Sequence, residues 1–226
     1  MPGGDTSLAW SRELGNVQIM PRFCTLLAAF GLALAALLPC AARPAQAGEQ
    51  VFVGIPEGWD EAWRHEAPNQ VIVEYLPKGQ TVADWTDMVT TQDFPGAVID
   101  PLDYLDRVAS AFGEGCEASR HEGPRGSTEN GYRVALAYLE CKGPDASKAA
   151  PGVLLKKVEF LAIKAIQGVK ALHVIQRAWH GDDEPQHPLQ SPDAANWVAV
   201  VRDAELCDLA DTSRTCRTVG RTGGLE

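Results

Sequence analysis

The chain has 226 residues, 45% of them hydrophobic, and its 20 basic and 30 acidic side chains give a formal net charge of −10 at pH 7. This composition excludes an intrinsically disordered chain, a collagen-like repeat and a protein with many membrane spans. The acidic balance also argues against a nucleic-acid or anionic lipid partner, because both carry negative charge.

The N-terminal region contains the three parts of a secretory signal peptide. A basic start at Met20–Arg22 precedes an uncharged apolar run from Phe23 to Leu38, and Ala45 and Ala47 fit a cleavage site. The run is shorter than the roughly 20 residues that a membrane-spanning helix requires. We therefore predict a signal peptide over residues 20–47 and a periplasmic or secreted bacterial protein with no stable membrane anchor after cleavage.

Two further interpretations concern the same region. Because a signal peptide lies at the N-terminus of a nascent chain, residues 1–19 are predicted to be a non-translated or mis-assigned leader. Cys40 directly follows the apolar run, so a lipoprotein is the alternative to a cleaved soluble protein. Pro39 occupies the position where a small residue normally precedes a lipidated cysteine, and this favours the soluble protein.

Residues 48–226 fit a single domain with one core. Val51–Gly54 and Gln70–Leu76 are apolar or β-branched runs bounded by Gly or Pro, and both are predicted strands. A helix is predicted over Thr81–Val89, because Thr81 is a favourable N-cap and the apolar residues that follow share one helical face.

A second helix is predicted from Asp100 to Gly113, with proline at its first position. The segment from Glu114 to Asn130 is rich in Gly, Ser, Glu and Arg, which is typical of a loop. Tyr132–Glu140 alternates between apolar and polar residues and is a predicted strand.

The C-terminal half contains a predicted long hairpin. Val153–Ile166 and Lys170–Trp179 are joined by a short link, which only antiparallel strands allow. Its lysines, Lys164 among them, are predicted to form a solvated edge. A last helix is predicted over Pro192–Leu206. The predicted fold is therefore α+β, an antiparallel sheet with a late long hairpin, covered by about three helices.

Four cysteines follow the predicted cleavage site: Cys116, Cys141, Cys207 and Cys216. An even number in an oxidising compartment predicts two disulfides. The pairs Cys116–Cys141 and Cys207–Cys216 are favoured because each closes a short loop, and the two other connectivities stay open. A zinc site is the alternative, but the spacing contains no Cys-x-x-Cys pair.

Several short motifs resemble a family of uncharacterised exported proteins from proteobacteria. They are Gly79–Val82, Trp85–Thr86, Met88–Thr90, Gln92, Cys116, Asn130–Tyr132, Cys141, Gln176–Trp179 and Cys207–Asp208. This resemblance implies export but no assigned activity. The order of elements also resembles the α+β sandwich of the PsbP/Mog1-like proteins, many of which are non-enzymatic accessory factors, although fold analogy alone is a weak argument for function.

The sequence contains no established catalytic motif. There is no Gly-x-Ser-x-Gly elbow, His-Glu-x-x-His helix, Walker loop or dinucleotide fingerprint. We therefore predict no catalytic residue and no cofactor. The densest group of metal-capable side chains is His180, Asp182, Asp183, Glu184 and His187. Its spacing matches no metal site, so it is interpreted as a polar loop and no metal ligand is predicted.

Four residues are candidates for ligand binding. His173, Arg177 and Trp179 project from one side of a predicted strand, and with Trp85 they would line a groove for a small anionic or aromatic ligand. The alternative is that Trp179 packs in the core while Arg177 caps a helix or pairs with a carboxylate.

These observations favour a non-enzymatic binding or accessory function in the cell envelope, with another envelope protein or a small molecule as partner. The alternative is a periplasmic hydrolase whose acid/base pair is assembled only in the fold. A secreted effector or immunity-type factor is a third class. A binding protein predicts an apolar or aromatic concavity, whereas an enzyme predicts carboxylates or histidines that converge in a cleft.

Overall fold

The computed structural model describes residues 48–147, 155–182, 188 and 192–211. The predicted leader (residues 1–19) and signal peptide (residues 20–47) lie outside these residues. Among the described residues, no helix combines the length and the apolar character that crossing a membrane requires.

Nine strands and two helices form the described part of the chain. In order they are β1 (Glu49–Phe52), β2 (Trp59–Ala67), β3 (Gln70–Pro77), β4 (Asp87–Pro95), α1 (Pro101–Glu114), β5 (Cys116–Glu129), β6 (Tyr132–Pro144), β7 (Val158–Gln167), β8 (Ala171–Gly181), α2 (Ala194–Arg202) and β9 (Glu205–Asp208). Seven strands form one sheet in the order β2-β3-β4-β8-β7-β6-β5, and β1 pairs with β9 in a separate ribbon. Every strand pair is antiparallel.

The predicted antiparallel sheet and its long hairpin are confirmed. The hairpin is β7–β8, and it lies at the centre of the sheet between β6 and β4. The prediction of about three helices is not confirmed, since the described residues contain two. α1 begins as expected: the Asp100 side chain accepts a hydrogen bond from the backbone N–H of Leu102 at 2.9 Å, and Pro101 occupies the first turn.

The helix predicted over Thr81–Val89 is wrong. Residues Thr81 and Asp84 form a tight turn with an isolated bridge, and β4 begins at Asp87. β4 lies between β3 and β8 and forms hydrogen bonds on both sides. These bonds and the β-branched residues of β4 favour the extended conformation over the local helical pattern.

The segment from Glu114 to Asn130 is not a loop, as the sequence predicted, but contains the 14-residue strand β5. β2 was not predicted at all. Both strands lie at the edges of the seven-stranded sheet, and most of their side chains are exposed. An edge strand with charged side chains shows no apolar alternation, because neither of its faces is fully covered.

The last predicted helix is shorter than expected. α2 ends at Arg202, and Leu206 belongs to β9, where it pairs with Val51 of β1. The chain therefore turns back after α2 and closes the β1–β9 ribbon against the same face of the sheet. Leu206, Trp197 and Val201 are buried there with Phe160 and Ile175.

The opposite face of the sheet is covered by α1. Leu105 and Phe112 of the helix pack against buried residues of β6, β7 and β8, including Leu139, Ile163 and Leu172. The molecule therefore has three layers, with α1 on one side of the sheet and α2 with the β1–β9 ribbon on the other.

One predicted disulfide is confirmed. Cys116, which follows α1, is bonded to Cys141 of β6, with the two Cα atoms 5.5 Å apart. Cys207 on β9 is also disulfide-bonded. Its predicted partner Cys216 lies outside the described residues.

Lys164 is not part of a solvated edge. It lies on the central strand β7 with only 1% of its surface exposed. Its ammonium group donates to Glu129 Oε2 at 2.6 Å and to the carbonyl oxygens of Arg202 and Ala204 at 2.8 and 2.7 Å. The lysine therefore satisfies carbonyl groups at the C-terminal end of α2, where a positive charge is also favourable.

Candidate ligand-binding cavity

A cavity of about 160 Å³ lies beside α1 on the sheet face that this helix partly covers. Its lining is mainly apolar and aromatic, and the residues are Ile72, Glu74, Trp85, Met88, Thr90, Gln92, Phe94, Tyr104, Val108, Ala111, Phe112, Glu159, Leu161, Ile163, Gln176 and Ala178. A cavity of about 150 Å³ is large enough to hold benzene. The space therefore suits a single small ring or a short alkyl chain.

The order of the strands explains why a cavity forms here. α1 packs against β5, β6 and β7, so the neighbouring half of the same sheet face is left beside the helix. Alternate residues of β3, β4 and β8 point to that side. Their register places Glu74, Thr90 and Gln176 in one polar row across three strands, and Gln92 of β4 and Glu159 of β7 are further polar residues of the lining.

Trp85, which lines the cavity, is stacked on a second ring. The indole of Trp85 lies on the imidazole of His180, with centroids 3.9 Å apart and planes 10° from parallel. The His180 ring nitrogen Nε2 donates to the Trp85 carbonyl, and its backbone N–H donates to the Thr86 carbonyl at 3.1 Å. These contacts fix the segment before β4 to β8. Burial lowers the pKa of His180, so at neutral pH the ring is uncharged.

The Trp85 segment is also tied to the preceding turn. The backbone N–H of Thr86 donates to Gln80 Oε1 at 2.8 Å, and Gln80 Nε2 donates to the Thr86 hydroxyl at 2.9 Å. The backbone at Trp85 and Thr86 is therefore held by hydrogen bonds with both Gln80 and His180. A wall that is fixed before binding costs less entropy when a ligand enters.

Glu159 is an acidic residue in the cavity lining that the sequence analysis did not single out. It lies on β7 between Cys141 of β6 and His180 of β8. Burial raises the pKa of its carboxyl group to about 7. The same strand face continues with Leu161 and Ile163, so a lone acid at an apolar position was the signal that sequence reasoning could have used.

The structure does not bring the four predicted ligand-binding residues together. Trp85 lines the cavity on the α1 side of the sheet. The other three residues, His173, Arg177 and Trp179, occupy positions of β8 that point to the α2 side. There Trp179 packs against the apolar cluster between the sheet and α2. The sheet itself separates Trp85 from the other three, so they do not form one groove.

Arg177 makes the carboxylate contact that the sequence analysis considered as its alternative. Its Nη2 and Nε atoms donate to the two carboxylate oxygens of Asp87 at 2.7 and 3.0 Å, and Nη1 donates to the Trp197 carbonyl at 3.1 Å. Its guanidinium lies 5.2 Å from the ring centre of Trp59 and 5.1 Å from that of Trp197. These contacts join β8, β4 and α2 in a buried cluster.

His173 lines a different cavity, of about 340 Å³, on the α2 side of the sheet. Its Nδ1 atom lies 2.6 Å from Asp93 Oδ1, and its buried Nε2 atom has no hydrogen-bond partner among the described residues. A carboxylate–histidine pair is the arrangement of a general base. Within the described part of the chain, no serine or cysteine lines this cavity.

Metal binding finds no support in residues 48–147, 155–182, 188 and 192–211. These residues contain no group of three His, Cys, Asp or Glu side chains arranged to hold a metal ion. His180 of the metal-capable group is engaged with Trp85, and Asp183, Glu184 and His187 lie outside the described residues.

No family model and no curated protein matches the chain. Among solved structures, it is similar to cyanobacterial PsbP (CyanoP) from Synechocystis sp. PCC 6803, at 9% identity and a TM-score of 0.44 over 76% of this chain and 99% of that one. It is also similar to LpqN of Mycobacterium tuberculosis, involved in cell envelope biogenesis, at 13% identity and a TM-score of 0.37 over 73% and 87%. At such TM-scores these similarities carry no argument about function.

Proposed function

We propose that the protein is a periplasmic or secreted binding protein without catalytic activity, and that the cavity beside α1 takes a small, mainly apolar ligand. The observation that carries this proposal is the aromatic and aliphatic lining of a 160 Å³ cavity that also contains a few polar groups. Small-molecule sites in proteins are typically apolar concavities in which a few placed polar groups fix the orientation.

The walls and the floor of the cavity have different roles in this proposal. Phe94, Tyr104 and Phe112 provide apolar surface from β4 and α1, and Trp85 also lines the cavity. Removal of this surface from water is the main source of affinity. The polar row on the floor orients a ligand that has one hydrogen-bonding group.

The experiment uses ethylbenzene as a neutral probe of the right size, titrated into the exported protein by calorimetry. The proposal predicts saturable binding that is lost in Ala178→Leu, because the added side chain projects from the cavity floor. Ala118→Leu is the matched control, since Ala118 is exposed on the edge strand β5. Absence of binding of ethylbenzene and of every other single-ring probe of its size to the wild-type protein, or equal binding to Ala178→Leu, would contradict the proposal.

A second candidate function rests on the pair of His173 and Asp93. Their 2.6 Å contact beside a cavity of about 340 Å³ is the convergence that a periplasmic hydrolase requires. A panel of activated esters tests this function. Hydrolysis that saturates with substrate and is lost in His173→Gln supports a hydrolase. Equal rates of hydrolysis by the wild-type protein and by His173→Gln argue against it.

A further inference from the structure

The fold leaves one acid of the α1 cavity without a charged partner. The carboxyl group of Glu159 lines the cavity, and it makes no hydrogen bond and no ion pair with any described residue. On one side Cys141 is held in the disulfide with Cys116. On the other side His180 is committed to the Trp85 carbonyl.

Building on the proposed function, we propose that the ligand of this cavity carries a basic nitrogen, which pairs as an ammonium group with the carboxylate of Glu159. An ionised carboxylate in an apolar cavity is costly unless a cation pairs with it. The described residues contain no group of three His, Cys, Asp or Glu side chains arranged to hold a metal ion, and the proposal therefore takes the cation from the ligand itself.

The surroundings of Glu159 specify the rest of the ligand. The cavity holds about one ring or a short alkyl chain, so the ligand is a small amphipathic amine with one apolar body. Aromatic rings in the lining, Trp85 among them, also attract a cation through their faces. A carboxylate ligand of the same size is disfavoured, because its charge would face both Glu159 and Glu74.

Two other ionisable side chains line the cavity, Glu74 on β3 and Tyr104 on α1, and His180 on β8 lies opposite Glu159 in the sheet register. Burial raises the pKa of Tyr104 and lowers that of His180, so both are uncharged at neutral pH. Glu74 is the second carboxylate of the lining and therefore needs its own variant in the test.

Binding of an amine at Glu159 is coupled to proton release. Burial raises the pKa of Glu159 to about 7, so about half of the molecules carry this proton at pH 7. A bound ammonium group stabilises the carboxylate and expels that proton. Release is therefore expected to be about half a proton per ligand at pH 7 and close to zero at pH 8.5.

The experiment compares benzylamine with ethylbenzene, which have the same shape, by calorimetry in two buffers of different ionisation enthalpy. At pH 8.5 benzylamine is expected to bind about tenfold more tightly or better, as a charge-assisted hydrogen bond allows. Glu159→Gln is expected to abolish both the tighter binding of benzylamine and the proton release at pH 7. Glu74→Gln is expected to retain most of the tighter binding and most of the proton release.

The outcomes separate this inference from the proposed function. If ethylbenzene binds as tightly as benzylamine, the cavity is still a binding site, but the inference that its ligand carries an amine is overturned. If the preference for benzylamine over ethylbenzene survives Glu159→Gln but is lost in Glu74→Gln, the assignment of the amine to Glu159 is overturned. The same holds if benzyl alcohol binds more tightly than benzylamine and no proton is released. If no probe binds, the proposed function fails and the amine fails with it.

Discussion

The indole ring of Trp85 lies flat on the imidazole of His180, with ring centroids 3.9 Å apart. This stack joins the segment before β4 to the end of β8, and the Trp85 ring lines the α1 cavity. Trp85 is therefore a half-buried cavity wall. From the sequence alone, Trp85 is predicted either as a residue of the apolar face of a helix or as part of a groove with residues of β8.

Replacement of Trp85 by alanine tests this role. We expect Trp85→Ala to lower the free energy of unfolding by about 1–3 kcal/mol, less than a fully buried tryptophan would cost, because the side chain is only partly buried. The same variant should lose ethylbenzene binding, as part of the cavity lining is removed. Urea denaturation and calorimetry measure the two effects.

Trp63→Ala is the control for this change, since Trp63 is half-buried on edge strand β2, stacks on His65 and does not line the cavity. It should retain ethylbenzene binding. Full binding by Trp85→Ala would show that this ring is not a wall of the site.

The raised pKa of Glu159 predicts a pH dependence of stability. Because its ordinary pKa of 4.5 rises to about 7 in the fold, the stability linked to its proton is complete below pH 4.5 and is lost as the pH rises to about 7. Glu159→Gln should therefore match the wild type near pH 4.5 and exceed it by about 1–3 kcal/mol at pH 8.

Urea denaturation at the two pH values measures this difference. The lowered pKa of His180 destabilises the fold below about pH 6.5, but this effect is common to both proteins and cancels in the comparison. Glu57→Gln, at an exposed position before β2, should show no such pH dependence. A constant difference between Glu159→Gln and wild type across the pH range would rule out the burial of this acid.

The pair of Arg177 and Asp87 should be important for stability. Both side chains are mostly buried and share two hydrogen bonds, so Arg177→Met leaves the Asp87 carboxylate without its ion pair. We expect a loss of about 3–5 kcal/mol. Arg64→Met removes an exposed pair with Glu61 and should cost about 0–1 kcal/mol. Equal denaturation midpoints for the two variants would contradict this account.

Lys164 should contribute through the carbonyl groups that it satisfies. Lys164→Met keeps the apolar stem but leaves the Arg202 and Ala204 carbonyls without this donor, which should cost about 2–4 kcal/mol. Lys170→Met is the control at an exposed position of the same hairpin, where a change within about 0.5 kcal/mol is expected. A Lys164→Met protein as stable as the control would show that these bonds do not stabilise α2.

The Cys116–Cys141 disulfide links the start of β5, directly after α1, to β6. Its two cysteines are 25 residues apart, and replacement of both by serine should lower the free energy of unfolding by about 2–4 kcal/mol. Thiol titration of the denatured, unreduced mature protein, residues 48–226, should detect no free cysteine. Two or more reactive thiols would contradict the disulfide assignment.

The parts of the fold that the sequence predicts are those with a strong apolar pattern. Among the strands these are β3, β6 and the β7–β8 hairpin, which lie inside the sheet with both edges paired. The helix α1 is also predicted, because it has an N-cap residue and an apolar stripe. The edge strands β2 and β5 have no such pattern, because solvent reaches most of their side chains. β4 was mistaken for a helix, since its conformation depends on pairing with β3 and β8.

The candidate site shows the same limit. Alternation along β8 correctly groups His173, Arg177 and Trp179 on one side of a strand. It does not reveal which side of the sheet α1 covers, because that depends on a strand order in which β4 pairs with β8. Glu159 and Lys164 were visible as single charges in an apolar strand, but their environments arise only when α1 and α2 pack on opposite faces.

The proposed function requires that a small apolar ligand occupies the cavity beside α1. The most direct measurement is intermolecular nuclear Overhauser effects between bound ethylbenzene and the methyl groups of the protein. The account predicts contacts to Ile72, Met88 and Ile163, which line this cavity. Contacts to Ile175 and Val201 on the α2 side instead, or no contacts at saturating probe, would contradict it.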